Sequence, residues 1–476
     1  MTSLLTGKEL LSAVKGTQIG SADCEFNDVQ TDSRNVNADL KCMFVPLIGE
    51  FQNGHKYIPE VLSKGVSVVL LNNSEYLTDS KAYEKMAEDN PSVFFVRVEN
   101  TLHALQNAAE AYVEKTCKNM IKVSITGSSG KTTTKEMMVS VCKAYFGDEK
   151  VAYTKGNFNS ETGLPLSVFK IRGDEKIGIF EMGMNRENEI GEISKVWKSQ
   201  YGIITNIGTA HIGILGSQEN IAKEKRKSFD YIPESGAAII GEKDSFADFC
   251  TENVKGKIIK FGTDVPGSGV KFLEDKGLFG SVFTVDGVQV NLSLSGEYNF
   301  LNATSVIACA KAIGISTEAI KKGLENVAAV SGRMETKQLE MKNGSKIILI
   351  QDCYNANLDS MLKVIDFCRS LKNVGKKIFV LADMKELGAE SIKSHEAVGK
   401  AVKDVSPEFS FFIGSDMKSA YSVLKKENSF WFEESNQNTF EEIGKKINSF
   451  VDDNDVVLLK GSHSMGLEKL VPFLAK

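Results

Sequence analysis

The chain has 476 residues, with 57 Lys and Arg against 62 Asp and Glu, 42% hydrophobic and 25% charged residues, and a mean hydropathy of −0.15. That balance belongs to a soluble globular protein, and at roughly 100–200 residues per domain the length predicts about three domains. A formal charge of −5 supplies no broad basic field, which argues against nucleic acid or an anionic membrane as the main partner.

Met1 leads into a polar segment without the charged-then-apolar pattern of a signal peptide, and no apolar run approaches a membrane span. The eight Cys (24, 42, 117, 142, 250, 309, 353, 368) include no CxxC and sit in apolar patterns, so they read as reduced, buried thiols. A cytosolic protein is expected. Only seven of the 57 basic residues are Arg, so each guanidinium, with its fixed fork for phosphate and carboxylate, stands out.

From the N-terminus to about residue 102, short strand-like runs (Met43 to Leu47, Val66 to Leu71, Val93 to Val98) are separated by polar turns. Asn72 to Asn90 is charged and reads as an exposed helix and loop. A second segment, 103–330, opens with a helix pattern over His103 to Lys115 and a strand over Lys122 to Thr126. Helices and strands then alternate, which favours a mainly parallel sheet covered on both faces. Phe283 to Leu294 alternates around Asp286-Gly287, a hairpin signal, and a helix from Asn299 to Ala312 ends at Gly314. In the third segment, 331–476, strands at Ile347 to Ile350, Ile378 to Ala382, Ser410 to Ile413 and Val456 to Leu459 each precede a polar loop and an amphipathic helix. Open α/β sheets place ligands at such loops.

The clearest chemical signal is Thr126-Gly127-Ser128-Ser129-Gly130-Lys131-Thr132-Thr133, between a strand and a helix whose apolar residues (Met137, Met138, Val141, Tyr145) recur three or four apart. Small residues free backbone amides to converge on phosphate, and the helix N-terminus adds positive potential. Lys131 then reaches the β/γ-phosphates and Thr132 a Mg²⁺ ion. Ile125 stands where the common P-loop spacing has its first Gly. Glu181, ending the strand-like run before Met182-Gly183-Met184, and His211, after Thr205-Asn206-Ile207-Gly208, suit a second metal position.

These strings, with Lys155-Gly156-Asn157-Phe158-Asn159, resemble the ATP-dependent Mur ligases of peptidoglycan synthesis, and the likeness covers nearly the whole chain. Thr31-Asp32-Ser33-Arg34 and Gly49 to His55 resemble the family's UDP-substrate domain. Ser331-Gly332-Arg333, Asp352-Cys353-Tyr354-Asn355-Ala356-Asn357, Leu381 to Gly388 and Lys460-Gly461-Ser462 complete the pattern. The resemblance implies an α/β, three-domain architecture: residues 1–102 binding the UDP-substrate, 103–330 forming a central P-loop parallel-sheet ATPase domain, and 331–476 forming a Rossmann-like domain for the incoming group.

Tyr-Asn-Ala-Asn after the Asp is typical of the members that add D-alanyl-D-alanine, whereas an Asp-x-Ala-His type of motif marks the diamino-acid-adding and folylpolyglutamate branches. The implied reaction joins D-alanyl-D-alanine to UDP-N-acetylmuramoyl-tripeptide through an acyl phosphate, using ATP and Mg²⁺, in a monomer. An acceptor such as a diamino acid or glutamate is the alternative. A P-loop switch module would not need Glu181, His211, Lys225 and Arg333 in matching places.

Carried over by resemblance, Gly127 to Thr133 hold the phosphates, with Lys131 catalytic, and Thr132, Glu181 and His211 hold metal. A carbamoylated lysine joins them; Lys223 and Lys225 compete for that role, and the spacing from His211 favours Lys225. Asn299 and Asn302 fall at the adenine, and Arg333 and Asp352 at the phosphates and ribose. Ser33, Arg34 and Asn53 face the UDP-substrate, Asn157 and Asn159 that substrate or its phosphoryl group, and Asp383, Glu386 and His395 the dipeptide. The pattern departs at Lys227 (commonly an acid), Tyr298 (often His), Leu358 (usually Pro) and His463 (often Arg).

Overall fold

The computed structural model describes residues 3–37, 39–424 and 427–476. Two compact units, each discontinuous in sequence, account for them. The first takes in the chain up to Ser124 with Asp148–Gly202 and Lys227–Pro233; the second takes in Ile125–Gly147, Ile203–Arg226 and Glu234–Lys476.

In the first unit a five-stranded sheet runs Thr17–Ile19, Phe94–Val98, Val68–Asn72, Cys42–Phe44, Asp28–Gln30, parallel except at the Thr17–Ile19 edge. The run read as a buried strand is one: Val68 to Asn72 has every residue buried, with Val69 and Leu71 packed on Phe44 and Phe95. The charged stretch after it forms two helices, Asn73–Thr78 and Ser80–Asp89, which bury only Tyr76 and Ala87 between them. Strands Val151–Tyr153 and Ile177–Glu181 pair in parallel. Helix Glu189–Trp197 buries Ile190, Ile193, Val196 and Trp197, whose ring lies 4.3 Å from that of Phe180.

In the second unit the helix Lys131–Phe146 buries Met137, Met138, Val141 and Cys142. Tyr145, expected on that face, is 47% exposed because the stripe turns to solvent in the last helical turn. Helix Thr317–Asn326 lies against it at Gly323, where a Cβ would come within 2.3 Å of the Val141 Cα, so only glycine permits that approach. The Asp286-Gly287 hairpin joins Ser281–Val285 to Val288–Leu292, both turn residues having positive φ (49° and 84°) as the turn type demands.

The C-terminal stretch forms a six-stranded sheet in the order Glu335–Glu340, Lys346–Asp352, Val456–Lys460, Lys377–Ala382, Phe409–Ile413, Ser429–Phe432. All pairs are parallel except the first. Ile350, Phe379, Leu381, Phe412 and Leu458 face one core, while Leu349, Val380, Phe411, Ile413, Val457 and Leu459 face another. That two-sided burial is why these strands read as unbroken apolar runs. The two edge strands escape such reading, since Glu335–Glu340 has no fully buried residue and Ser429–Phe432 spans four residues. All eight Cys are buried and free, and burial pushes the Cys42 thiol up to about 12. Among the described residues no helix is long and apolar enough to cross a membrane.

Candidate active site

Strand Ile121–Thr126 hands the chain to the glycine loop and thence to helix Lys131–Phe146. Gly127 has φ 150° and Gly130 φ 83°. A Cβ on Gly127 would fall 1.8 Å from Thr205 Oγ1, and one on Gly130 2.7 Å from Asn302 Oδ1, so neither site admits a side chain. The run after strand Tyr201–Ile204 braces the loop. Thr205 Oγ1 and Asn206 Nδ2 donate to Ser129 O (2.6 and 2.9 Å), while Asn206 O and Oδ1 accept from the Ser128 and Ser129 amides (3.0 and 3.1 Å). The Gly208 amide donates to Ser128 Oγ at 2.8 Å.

Two lysines meet on this loop. Lys131 Nζ and Lys225 Nζ both donate to Gly127 O, at 2.9 and 3.0 Å. Lys225 is 1% exposed, and burial, aided by the nearby Lys131 charge, holds its pKa well below that of an ordinary lysine. Lys223, two residues earlier on helix Gln218–Arg226, is exposed. Thr132 is buried at the helix start and Thr133 half-buried.

Residues from the C-terminal stretch reach the same loops. Asn357 caps helix Leu358–Ser370, so Leu358 in place of proline still starts a helix, and Asn357 Nδ2 donates to Ser129 Oγ at 3.3 Å. Asp359 Oδ2 accepts from Thr209 N and Oγ1 (2.7 and 2.9 Å). His211, held at φ 66°, places Nδ1 2.7 Å from Glu386 Oε2, a close approach whose direction is not that of a ring N–H bond. His211 draws the Glu386 carboxyl below the usual range. Glu386, expected in the dipeptide region, thus stands on the imidazole.

Asp352 accepts from Lys460 Nζ (2.7 Å) and the Met334 amide (3.1 Å), and the Arg333 guanidinium lies 4.1 Å over the Tyr354 ring, with His463 5.3 Å from that ring. Asn299 and Asn302 are buried on helix Glu297–Ile313 and share a 3.3 Å hydrogen bond. Asp383 accepts from the Met417 amide and Lys385 Nζ, both at 2.9 Å. His395 is fully buried, its Nε2 accepting from the Met384 amide (3.1 Å) and its Nδ1 2.8 Å from Ser391 O. Both ring nitrogens are thereby committed to shaping the loop after Asp383.

The first unit carries the remaining candidates. Glu181, 1% exposed at its strand end, accepts from Asn159 Nδ2 at 2.7 Å, and its amide donates to Thr154 Oγ1 at 2.9 Å. Asn157 is exposed beside Asn159. Ser33 is buried and donates to Glu60, whereas Arg34 is exposed and pairs with Asp32, holding that carboxyl down at about 2. Asn53 Oδ1 caps the turn Gly54–Tyr57, accepting from the His55 amide at 3.0 Å and lying 2.8 Å from His55 Nδ1. Lys227, the departure beside Lys225, donates to Asn188 Oδ1 at 3.0 Å. Asn206 lies inside a motif string and Asp359 two residues past another, and neither is singled out there as a site residue; only the fold shows that they brace the phosphate loop and the His211 turn.

A phosphate loop braced on a second strand end, with two lysines on one of its carbonyls, defines an α/β nucleotide-dependent enzyme. Family profiles agree: the Mur ligase middle domain matches residues 125–310, and the Mur ligase, glutamate ligase domain matches 332–463. The chain is 33% identical to the UDP-N-acetylmuramoyl-tripeptide–D-alanyl-D-alanine ligase of Treponema pallidum, over 99% of each chain. Among solved structures, MurF from Acinetobacter baumannii superimposes with a TM-score of 0.83 at 26% identity, covering 98% of each chain. MurF ligase from Thermotoga maritima in complex with ADP superimposes with a TM-score of 0.75 at 23% identity, covering 94% of this chain and 96% of that one. The chain belongs to the Mur ligase family.

Proposed function

We propose that the chain joins D-alanyl-D-alanine to UDP-N-acetylmuramoyl-tripeptide with cleavage of ATP to ADP and phosphate. The observation that carries this reading is Lys131 on the braced glycine loop, its Nζ donating to Gly127 O beside the buried Lys225. Two anions, a peptide carboxylate and the γ-phosphate, must approach each other, and fixed positive charge makes that encounter possible. The carboxylate attacks phosphorus and ADP leaves. The dipeptide amine then attacks the acyl phosphate carbonyl and phosphate departs.

Lys131 and the loop amides hold the phosphates, Asn299 and Asn302 the adenine, and Arg333 and Asp352 the phosphates and ribose. Ser33, Arg34, Asn53, Asn157 and Asn159 meet the UDP-substrate. Asp383 and Glu386 serve the dipeptide side, with His395 shaping that loop. Three ligand-binding segments, 1–102, 103–330 and 331–476, divide this work in a cytosolic monomer.

Each of three side chains is a group able to ligate Mg²⁺: the Thr132 hydroxyl and the His211 imidazole in the second unit, and the Glu181 carboxylate in the first. An ammonium at Lys225 does not fit, but burial lowers the pKa of this amine and so favours its reaction with CO₂, which releases a proton and leaves a carbamate oxygen; exposed Lys223 has no such environment. Bound Mg²⁺ supplies charge neutralisation on the transferred phosphoryl group. Glu386 lies against His211 Nδ1.

The acyl phosphate is tested with tripeptide substrate labelled with oxygen-18 in its reacting carboxylate. One labelled oxygen is expected in each phosphate released, and unlabelled phosphate would refute the intermediate.

A further inference from the structure

Helix Glu189–Trp197 opens on a glutamate that the chemistry above does not use. An acid in a first helical turn ordinarily faces water and answers the helix dipole. Glu189 is instead 2% exposed, and its oxygens do not turn back to its own helix. Oε1 accepts the Glu161 amide at 3.0 Å and Oε2 the Asn185 amide at 2.5 Å. Those amides belong to different loops. One follows strand Val151–Tyr153 and carries Asn157 and Asn159; the other follows strand Ile177–Glu181, directly after Glu181.

The two loops are also joined at Gly183 N to Asn159 O (2.8 Å) and Asn159 Nδ2 to Glu181 Oε1 (2.7 Å). A Cβ on Gly183 would come within 3.1 Å of the Asn159 carboxamide, so the loops touch closely. Beside them, Arg186 pairs with Glu161 and Glu192, and Gln106 donates to Glu192. The guanidinium thus absorbs the two neighbouring acids and leaves Glu189 to the amides. A buried carboxylate is costly unless such donors satisfy it, and backbone N–H bonds to an ionised group are among the stronger ones.

We propose that Glu189 is a positioning residue: by taking the Glu161 and Asn185 amides on its two oxygens, it locks the Asn159 loop to the loop after Glu181 and sets where the Glu181 carboxylate stands. This rests on Glu181 being a metal ligand. Glu189→Gln tests it, since glutamine keeps the volume but turns an NH₂ group toward one of the two amide donors.

In the full chain, Glu189→Gln should fold, lose hydrogen-exchange protection at the Glu161 or Asn185 amide, and lower kcat about 10–100-fold with little change in KM for the UDP-substrate. Binding of Mn²⁺ in the presence of ADP, read by electron paramagnetic resonance, should weaken by a similar factor, and Glu181→Gln should weaken it at least as much. Wild-type kcat and Mn²⁺ affinity in a folded Glu189→Gln overturn the inference while leaving the ligand assignment in place if Glu181→Gln still weakens binding. Unchanged Mn²⁺ affinity in Glu181→Gln overturns the ligand assignment and this inference with it.

Discussion

The phosphate loop of the second unit and the Thr31 to His55 region of the first unit solve opposite problems. Around the phosphate loop the backbone has no slack: Gly127 abuts Thr205, Gly130 abuts Asn302, and Asn206 brackets Ser129 from both sides. Around Ser33 and Asn53 the backbone is pinned while side chains are presented, Arg34 and Phe51 being 84% and 89% exposed. Asn53 Oδ1 is committed to the His55 ring and amide, and the ring is in turn fixed by the Asn72 amide donating to Nε2 at 3.0 Å. The first region holds its groups at fixed distances, and the second turns side chains to solvent.

Substitutions should separate the two regions by what they change. Lys131→Ala should cost about 10³-fold or more in acyl phosphate formation, because no other group replaces its charge at the loop. Binding of the UDP-substrate, measured by calorimetry, should be unchanged; a comparable loss of binding would erase the division. Lys225→Ala should cost about 10²–10³-fold, partly restored by a short carboxylic acid standing in for the carbamate, whereas exposed Lys223→Ala should behave as wild type in the same steady-state assay.

Asp359→Ala leaves the Thr209 amide and hydroxyl without their acceptor and should lower kcat about 10-fold, at unchanged KM for the UDP-substrate. Arg34→Ala should do the reverse, raising that KM a few-fold with kcat and stability unchanged, since its ion pair is solvated.

The smallest effect concerns pH. Burial holds the His55 pKa at about 4, below the 6.5 of an exposed histidine. Between those values the unfolded chain binds a proton that the folded chain does not, so the stability His55 contributes is whole above pH 6.5 and declines as pH falls to 4. His55→Gln should show a shallower fall of Tm across that window, and an identical slope would remove His55 as the cause.

Much of this was legible in the residues. Strands buried on two faces announce themselves as apolar runs, and the hairpin at Asp286-Gly287 carries its own turn chemistry. The glycine loop and His211 stand out because each follows a strand, and Glu181 because it ends one. What the sequence withholds is pairing at a distance. Nothing local to Glu386 says that it meets His211, and nothing local to Asp359 says that it receives Thr209, 150 positions earlier. The choice between Lys223 and Lys225 is likewise a matter of burial, one facing water and the other the phosphate loop. Edge strands such as Glu335–Glu340 were missed because exposure erases the pattern on which strand reading depends.

The central claim is a ligation in which ATP is spent only when both peptide substrates are present. Release of phosphate from ATP, followed with the UDP-tripeptide and each amine in turn, tests it most directly. The account predicts release that requires the UDP-tripeptide and D-alanyl-D-alanine together. Stimulation by meso-diaminopimelate or lysine with none by D-alanyl-D-alanine would contradict it.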